Sequence, residues 1–144
     1  EYSNKKYIEP NLVDGYYLTK DFGEIIDNKL YMSGRADDMF VSGGENVSPE
    51  KINKLISDFS NVQVSFVVDV GHPKWDKVPA VIIVLQTSAE EKSFIKELIS
   101  YLKAHLQPFE MPKKIVILEE ELEFSGAKPS KDHLRAITYK FPWI

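Results

Sequence analysis

Residues 34–52 read GRADDMFVSGGENVSPEKI. An arginine, two adjacent aspartates, a glycine pair and a glutamate crowd into the stretch before an evident helix. Ser48 followed by Pro49 has the form of an N-cap and a first helical position. Ile52, Leu55, Ile56 and Phe59 then recur at helical spacing and predict an amphipathic helix over 49–59. Upstream of the cap, MFVSGGENV is a β segment interrupted by Gly43–Gly44, as at a tight turn or a bulge.

Working outward, GYYLTKDFGEIIDNKLYMSG (15–34) predicts a hairpin. Tyr16, Tyr17 and Leu18 form one arm, Leu30, Tyr31 and Met32 the other, and Asp27-Asn28-Lys29 the turn. Residues 1–14 show no periodicity and read as an irregular lead-in. Toward the C-terminus, the Val- and Phe-rich run 62–70 predicts a strand, and 78–86, apolar on both faces, a central one. Ser88 and Glu91 have capping-box spacing. Behind them Phe94, Ile95, Leu98, Ile99, Leu102 and Leu106 form one stripe, a helix over 89–106. A third strand at 113–120 and a short helix at 130–137 complete the order. The fold class is α+β: a small, mostly antiparallel three-stranded sheet with helices packed against one face, preceded by β-hairpins.

The chain has 144 residues, 43% hydrophobic and 12% aromatic, enough for a core. A net charge of -4 argues against a general nucleic-acid binder. There is no cysteine, which excludes disulfides and thiolate metal sites and fits a cytoplasmic location. His72, His105 and His133 lack metal-ligand spacing. No apolar run approaches the ~20 residues of a membrane span. The polar start, EYSNKKYIEP, does not resemble a signal peptide, and its lack of Met suggests a cut or processed chain. Asp-Phe-Gly at 21–23 invites a kinase reading, which fails because no Gly-rich loop or catalytic-loop motif precedes it.

Four segments occur in order: GYYLTKDFGEI, GRADDMFVSGGENVSPEKI, GHPKWDKVPAVIIV and LEFSGAKPSKDHLR. Together, from Gly15 to Arg135, they resemble the C-terminal part of the adenylate-forming superfamily of acyl-CoA synthetases, peptide-synthetase adenylation domains and luciferases. The resemblance implies two segments. Residues 1–36 are a remnant of a large N-terminal AMP-binding domain, and 37–144 are a mobile lid.

The resemblance also implies roles. Tyr17-Leu18-Thr19-Lys20-Asp21 matches the family's Tyr-x-Thr-Gly-Asp, with Lys20 in place of glycine. Asp21 is then the carboxylate that holds the two ribose hydroxyls, a job suited to a group that accepts two hydrogen bonds. Arg35 reaches the ribose or phosphate side of the nucleotide. Asp37 is the hinge. Gly43 and Gly44 line the pantetheine tunnel, where a backbone without side chains permits close approach. Lys128 falls on the adenylation lysine, with Ala127 where glycine is usual and Lys131 as the competing candidate. The implied substrates are a small carboxylic acid, ATP and CoA, the partner is the chain's own N-terminal domain, and Mg enters through the nucleotide with ligands outside this chain.

The SGGENVSPEKI form is similar to the acyl- and aryl-acid CoA ligases. GHPKWDKVP with SGGENV is similar to the bacterial 2-succinylbenzoate–CoA ligases of menaquinone synthesis, and the fatty-acid ligases share these patterns. Two alternatives stay open. One is an adenylation domain that loads a carrier protein, and the other a stand-alone binding module with the lid fold and no chemistry. A large domain with a Gly-rich phosphate loop upstream would dismiss the second.

Overall fold

The computed structural model describes residues 12–118 and 129–144. The chain divides into two compact units, Glu1–Asp37 and Asp38–Ile144. Asp37, which the sequence assigns to the second segment, thus closes the first unit.

In the first unit, Asp14–Gly15 turns β1 (Leu12–Val13) back onto β2 (Tyr16–Tyr17), with both turn residues at positive φ. Asp27–Asn28 makes the same kind of turn, at φ 49° and 61°, between β3 (Asp21–Ile26) and β4 (Lys29–Arg35). Two residues in the left-handed region match the twist of the strands they join, and Asp and Asn tolerate that conformation. The expected pairing of Tyr16–Leu18 with Leu30–Met32 is therefore corrected. Tyr16–Tyr17 closes locally on residues read as irregular, because Asp14–Gly15 is the shorter loop to close. The partner of β4 is Asp-Phe-Gly-Glu-Ile-Ile, whose aspartate and glycine hid its strand character. Phe22, Ile25, Ile26, Leu30, Tyr31 and Met32 on this hairpin are all exposed.

The second unit is built around one strand. Its elements are β5 (Phe40–Ser42), β6 (Glu45–Val47), α1 (Pro49–Ser57), β7 (Val62–His72), β8 (Asp76–Leu85), α2 (Glu91–His105), β9 (Lys114–Leu118) and α3 (Lys131–Thr138). The sheet order is β7-β8-β9. β7 and β8 are antiparallel, whereas β8 and β9 are parallel, so the sheet is mixed. A parallel neighbour needs a long crossover, and α2 supplies it.

β8 is buried without interruption from Val78 to Val84. Val81 and Ile83 face Ile52 and Ile56 of α1 and Phe94, Leu98 and Leu102 of α2. Val78, Ala80 and Ile82 face Leu134 of α3 on the other side. The expectation that all helices share one face fails for α3. With both faces of β8 apolar, one layer of helices leaves half of the strand in water, and α3 covers that half.

Side-chain caps fix the starts of α1 and α2. Ser48 Oγ accepts from Lys51 N at 3.4 Å, as expected of the Ser-Pro pair. The Ser88/Glu91 capping box does not form. Glu90 is the N-cap of α2, its carboxylate accepting from Lys92 N at 3.3 Å and Ser93 N at 2.6 Å. The delay has a cause next to the helix. Asn61 holds Thr87 in place, its Nδ2 donating to Thr87 O at 3.0 Å and its Oδ1 accepting from Thr87 N at 3.0 Å.

Leu98 is fully buried between α2 and the sheet. Leu98→Ala should therefore cost about 2–5 kcal/mol in urea unfolding, through lost transfer energy and a cavity. A cost under about 0.5 kcal/mol, the size of a surface substitution, would contradict this packing.

Candidate functional site

Three residues singled out by the sequence meet on one guanidinium in the first unit. Arg35 donates through Nε to Asp37 Oδ1 at 2.9 Å and through Nη2 to Asp37 Oδ2 at 3.0 Å, a bidentate grip. Its Nη1 donates to Asp21 Oδ1 at 2.9 Å. The hydrogen bonds from Arg35 hold the Asp37 carboxyl below the usual carboxylate range. All three side chains retain exposure.

The local backbone explains how Asp21 gets there. Lys20 takes φ 64°, the left-handed conformation that favours glycine. Lys20, standing where the resembled motif has glycine, thus adopts a backbone that glycine takes readily. Ala36 N donates to Lys20 O at 2.8 Å, and Asp21 N donates to Thr19 Oγ1 at 3.2 Å. The threonine, the lysine and the aspartate each do something local that the next one needs.

In the second unit, Gly43–Gly44 is the two-residue turn of the β5–β6 hairpin, with Ser42 paired to Glu45. Both glycines have positive φ, 59° and 94°. Gly43 N donates to Trp75 O at 3.2 Å, which docks the turn on the β7–β8 loop. Beside it lies a cleft lined by Gly43, Trp75, Phe109 and Lys113. The ammonium groups of Lys74 and Lys113 each lie 5.2 Å from the Trp75 ring centroid. His72 stacks on the same indole at 4.5 Å and meets Trp143 edge-on at 4.9 Å. Trp75 packs against the core and so anchors this loop. Its convergence with Lys74 and Lys113 has no short-range signal, because Lys113 comes from the far end of the α2 crossover.

Lys128 lies outside the described residues. Lys131, the competing candidate, opens α3 and forms an ion pair with Asp38. Arg135, one turn later, clamps α3 to β7 through Asp69: Nη2 donates to Asp69 Oδ1 at 2.5 Å and Nε to Asp69 O at 3.0 Å. Lys77 adds a second cation to Asp69 at 3.1 Å. Burial pushes the Asp69 carboxyl up, but the hydrogen bonds from Arg135 and Lys77 together outweigh it, and its pKa is lowered. Lys114, unremarked in the sequence, is buried with its ammonium on Thr138 O at 3.0 Å and Phe141 O at 2.8 Å. Burial lowers its pKa. His105 Nδ1 lies 2.8 Å from Tyr101 O at the end of α2. No helix among the described residues is long and apolar enough to cross a membrane.

A family model described as the AMP-binding enzyme C-terminal domain matches residues 51–126. The chain is 31% identical over 133 residues to the 2-succinylbenzoate–CoA ligase of Listeria monocytogenes, covering 92% of this chain and 28% of that protein. It is 32% identical over 137 residues to a peroxisomal butyrate–CoA ligase of Arabidopsis thaliana, covering 93% of this chain and 24% of that protein. It superposes with a TM-score of 0.68 and 26% identity on the o-succinylbenzoate CoA synthetase of Bacillus subtilis in complex with its acyl-adenylate intermediate. That match covers 86% of this chain and 25% of the other. The chain thus spans about a quarter of the length of these proteins.

Acid should loosen α3 through Asp69. Its depressed pKa means that the pair's stabilisation is fully present above the unfolded value, 3.8, and is lost as pH falls through the lower folded value. Asp69→Asn should cost about 1–3 kcal/mol at pH 7, the worth of hydrogen bonds to a charged group. Urea midpoints measured from pH 7 down to pH ~2 should show the mutant with a shallower acid limb than the parent. Superimposable limbs would contradict the role given to Asp69.

Proposed function

This chain belongs to the AMP-binding enzyme C-terminal domain family, and we propose on that basis that it is the C-terminal part of an ATP-dependent carboxylic acid–CoA ligase. The second unit is the mobile lid, and the first is the edge of a large N-terminal domain. The exposed apolar hairpin β3–β4 supports the latter, since its side chains require a partner to cover them. The observation that carries the reading is the Asp21–Arg35–Asp37 cluster. One guanidinium ties the carboxylate assigned to the ribose to the residue assigned to the hinge.

The reaction has two halves. First a carboxylate oxygen of the acid attacks the α-phosphorus of ATP, and pyrophosphate leaves. Lys128, assigned by its motif, bridges the carboxylate oxygen and the α-phosphate as charge develops, a task that suits a compact ammonium on a long stem. Asp21 accepts from both ribose hydroxyls, with Arg35 holding its other oxygen. The lid then rotates about Asp37, a residue at the end of a unit, where such rotations are absorbed. The thiol of CoA enters along the Gly43–Gly44 turn, its sulfur attacks the acyl carbon, and AMP leaves. Lys74 and Lys113, gathered at Trp75 beside this turn, offer two cations for the phosphates of CoA.

Mg enters with the nucleotide in this reading, and among the described residues there is no cluster of three or more His, Asp or Glu that could hold a metal ion. The relatives act on acids as different as 2-succinylbenzoate and butyrate at nearly equal identity. The acid is therefore chosen outside this segment. 2-Succinylbenzoate comes first among candidates, from the resemblance carried by GHPKWDKVP and from the 2-succinylbenzoate–CoA ligases among the relatives. A cytoplasmic location belongs to the same proposal.

The two halves separate the roles. In the full-length protein, Lys128→Ala should slow acyl-AMP formation about a hundredfold or more and leave thioester formation from supplied acyl-AMP close to normal. Gly43→Asn should do the opposite. Asn tolerates the left-handed backbone at this position, so the change adds a side chain to the turn with little strain. Rapid-quench assays of each half-reaction decide the matter. Equal damage to both halves by both variants would mean that these residues only support the fold.

A further inference from the structure

We infer that Asp38 and Lys131 form a positioning pair for the adenylation half-reaction. This rests on the reading of Lys128 as the adenylation lysine. The two residues are 93 positions apart and join the first residue of the second unit to the first residue of α3. Their side chains are 38% and 47% exposed. An ion pair that exposed adds little to stability, so its consequence lies in where it holds the chain.

The rest of α3 is already fixed. Leu134 is buried against β8, Arg135 grips Asp69, and Lys114 holds the carbonyls of Thr138 and Phe141. The first turn is different. Lys131, Asp132 and His133 are all exposed, and Asp132 bonds within its own helix to Arg135. Lys131 ties this turn directly to Asp38, at the start of the unit. The pair stands at a cleft whose walls include Glu50 of α1, Ser65 of β7 and Leu134.

Chain geometry then reaches Lys128. Three residues of chain span at most about 11 Å, so fixing Lys131 confines the Cα of Lys128 to that radius. Asp38 is the covalent neighbour of Asp37. A rotation at Asp37 therefore carries Asp38 and Lys131 together, and Lys128 follows within the span of three residues. The pair also neutralises Lys131, so two lysines three positions apart do not compete for one phosphate. Misplacement of a reacting group by about 1 Å can cost a hundredfold, which is the scale on which such a tie acts.

The test is a charge swap in the full-length protein, read separately on the two half-reactions. Asp38→Lys and Lys131→Asp should each slow acyl-AMP formation about tenfold or more, with thioester formation from supplied acyl-AMP close to normal. The double variant should recover most of the lost rate, because it restores the pair with its charges exchanged. Lys131→Arg should retain the rate. A double variant no faster than the singles would overturn the inference, as would single variants that leave acyl-AMP formation untouched. If Lys131 itself were the adenylation lysine, Lys131→Asp would abolish the step and the second swap would not restore it. Lys128→Ala serves as the control. If it leaves both half-reactions intact, the underlying reading fails, whatever the pair does.

Discussion

Val78 to Val84 of β8 are buried on both faces, and the second unit is arranged around that constraint. A strand with two apolar faces needs a neighbour on each edge and a layer on each side. β7 reaches one edge through a tight hairpin, and β9 reaches the other by the α2 crossover. α1 and α2 cover one side and α3 the other. The third layer matters for function. It takes α3 away from its sister helices and gives it a face of its own, next to the start of the unit.

Charge is placed where the apolar layers end. Glu110, 5% exposed, receives the Lys51 ammonium at 2.6 Å and 2.8 Å and Gln107 N at 2.9 Å, which pins the approach to β9 onto α1. Arg135 and Lys77 share Asp69, and Lys114 serves the end of α3. Each buried or half-buried charge is met by hydrogen bonds from a different element, which is the condition for tolerating it. The result is a tightly tied second unit, which is what the proposed lid requires. A hinge can act only if what it carries does not deform.

Much of this was legible because it rests on short-range chemistry. A run apolar on both faces over 78–86 made β8 central, Ser48-Pro49 started α1, and the Phe94–Leu98–Leu102 stripe made α2. The misreadings have a common source. The start of α2 depends on Asn61, and the pairing of Tyr16–Tyr17 depends on which of two turns closes first. The face taken by α3 depends on what the other helices leave uncovered. These are choices between partners, and a local pattern does not carry them. The Asp-Gly at 14–15 was a signal that could have been used. In the candidate site, the motifs located Asp21, Arg35 and Asp37 as separate residues, while their shared guanidinium emerged only in three dimensions. Lys20 is the reverse case: an apparent departure from the glycine motif that the backbone absorbs at φ 64°.

The central claim is that the second unit turns as a body about Asp37 between the two half-reactions. The most direct measurement is the distance between spin labels at Lys29 in the first unit and Lys96 in the second, both exposed, in the full-length protein. The account predicts one distance distribution with ATP and the acid, and a distinctly different one when a stable acyl-AMP analogue and CoA are bound together. A single distribution that is the same under both conditions would contradict it.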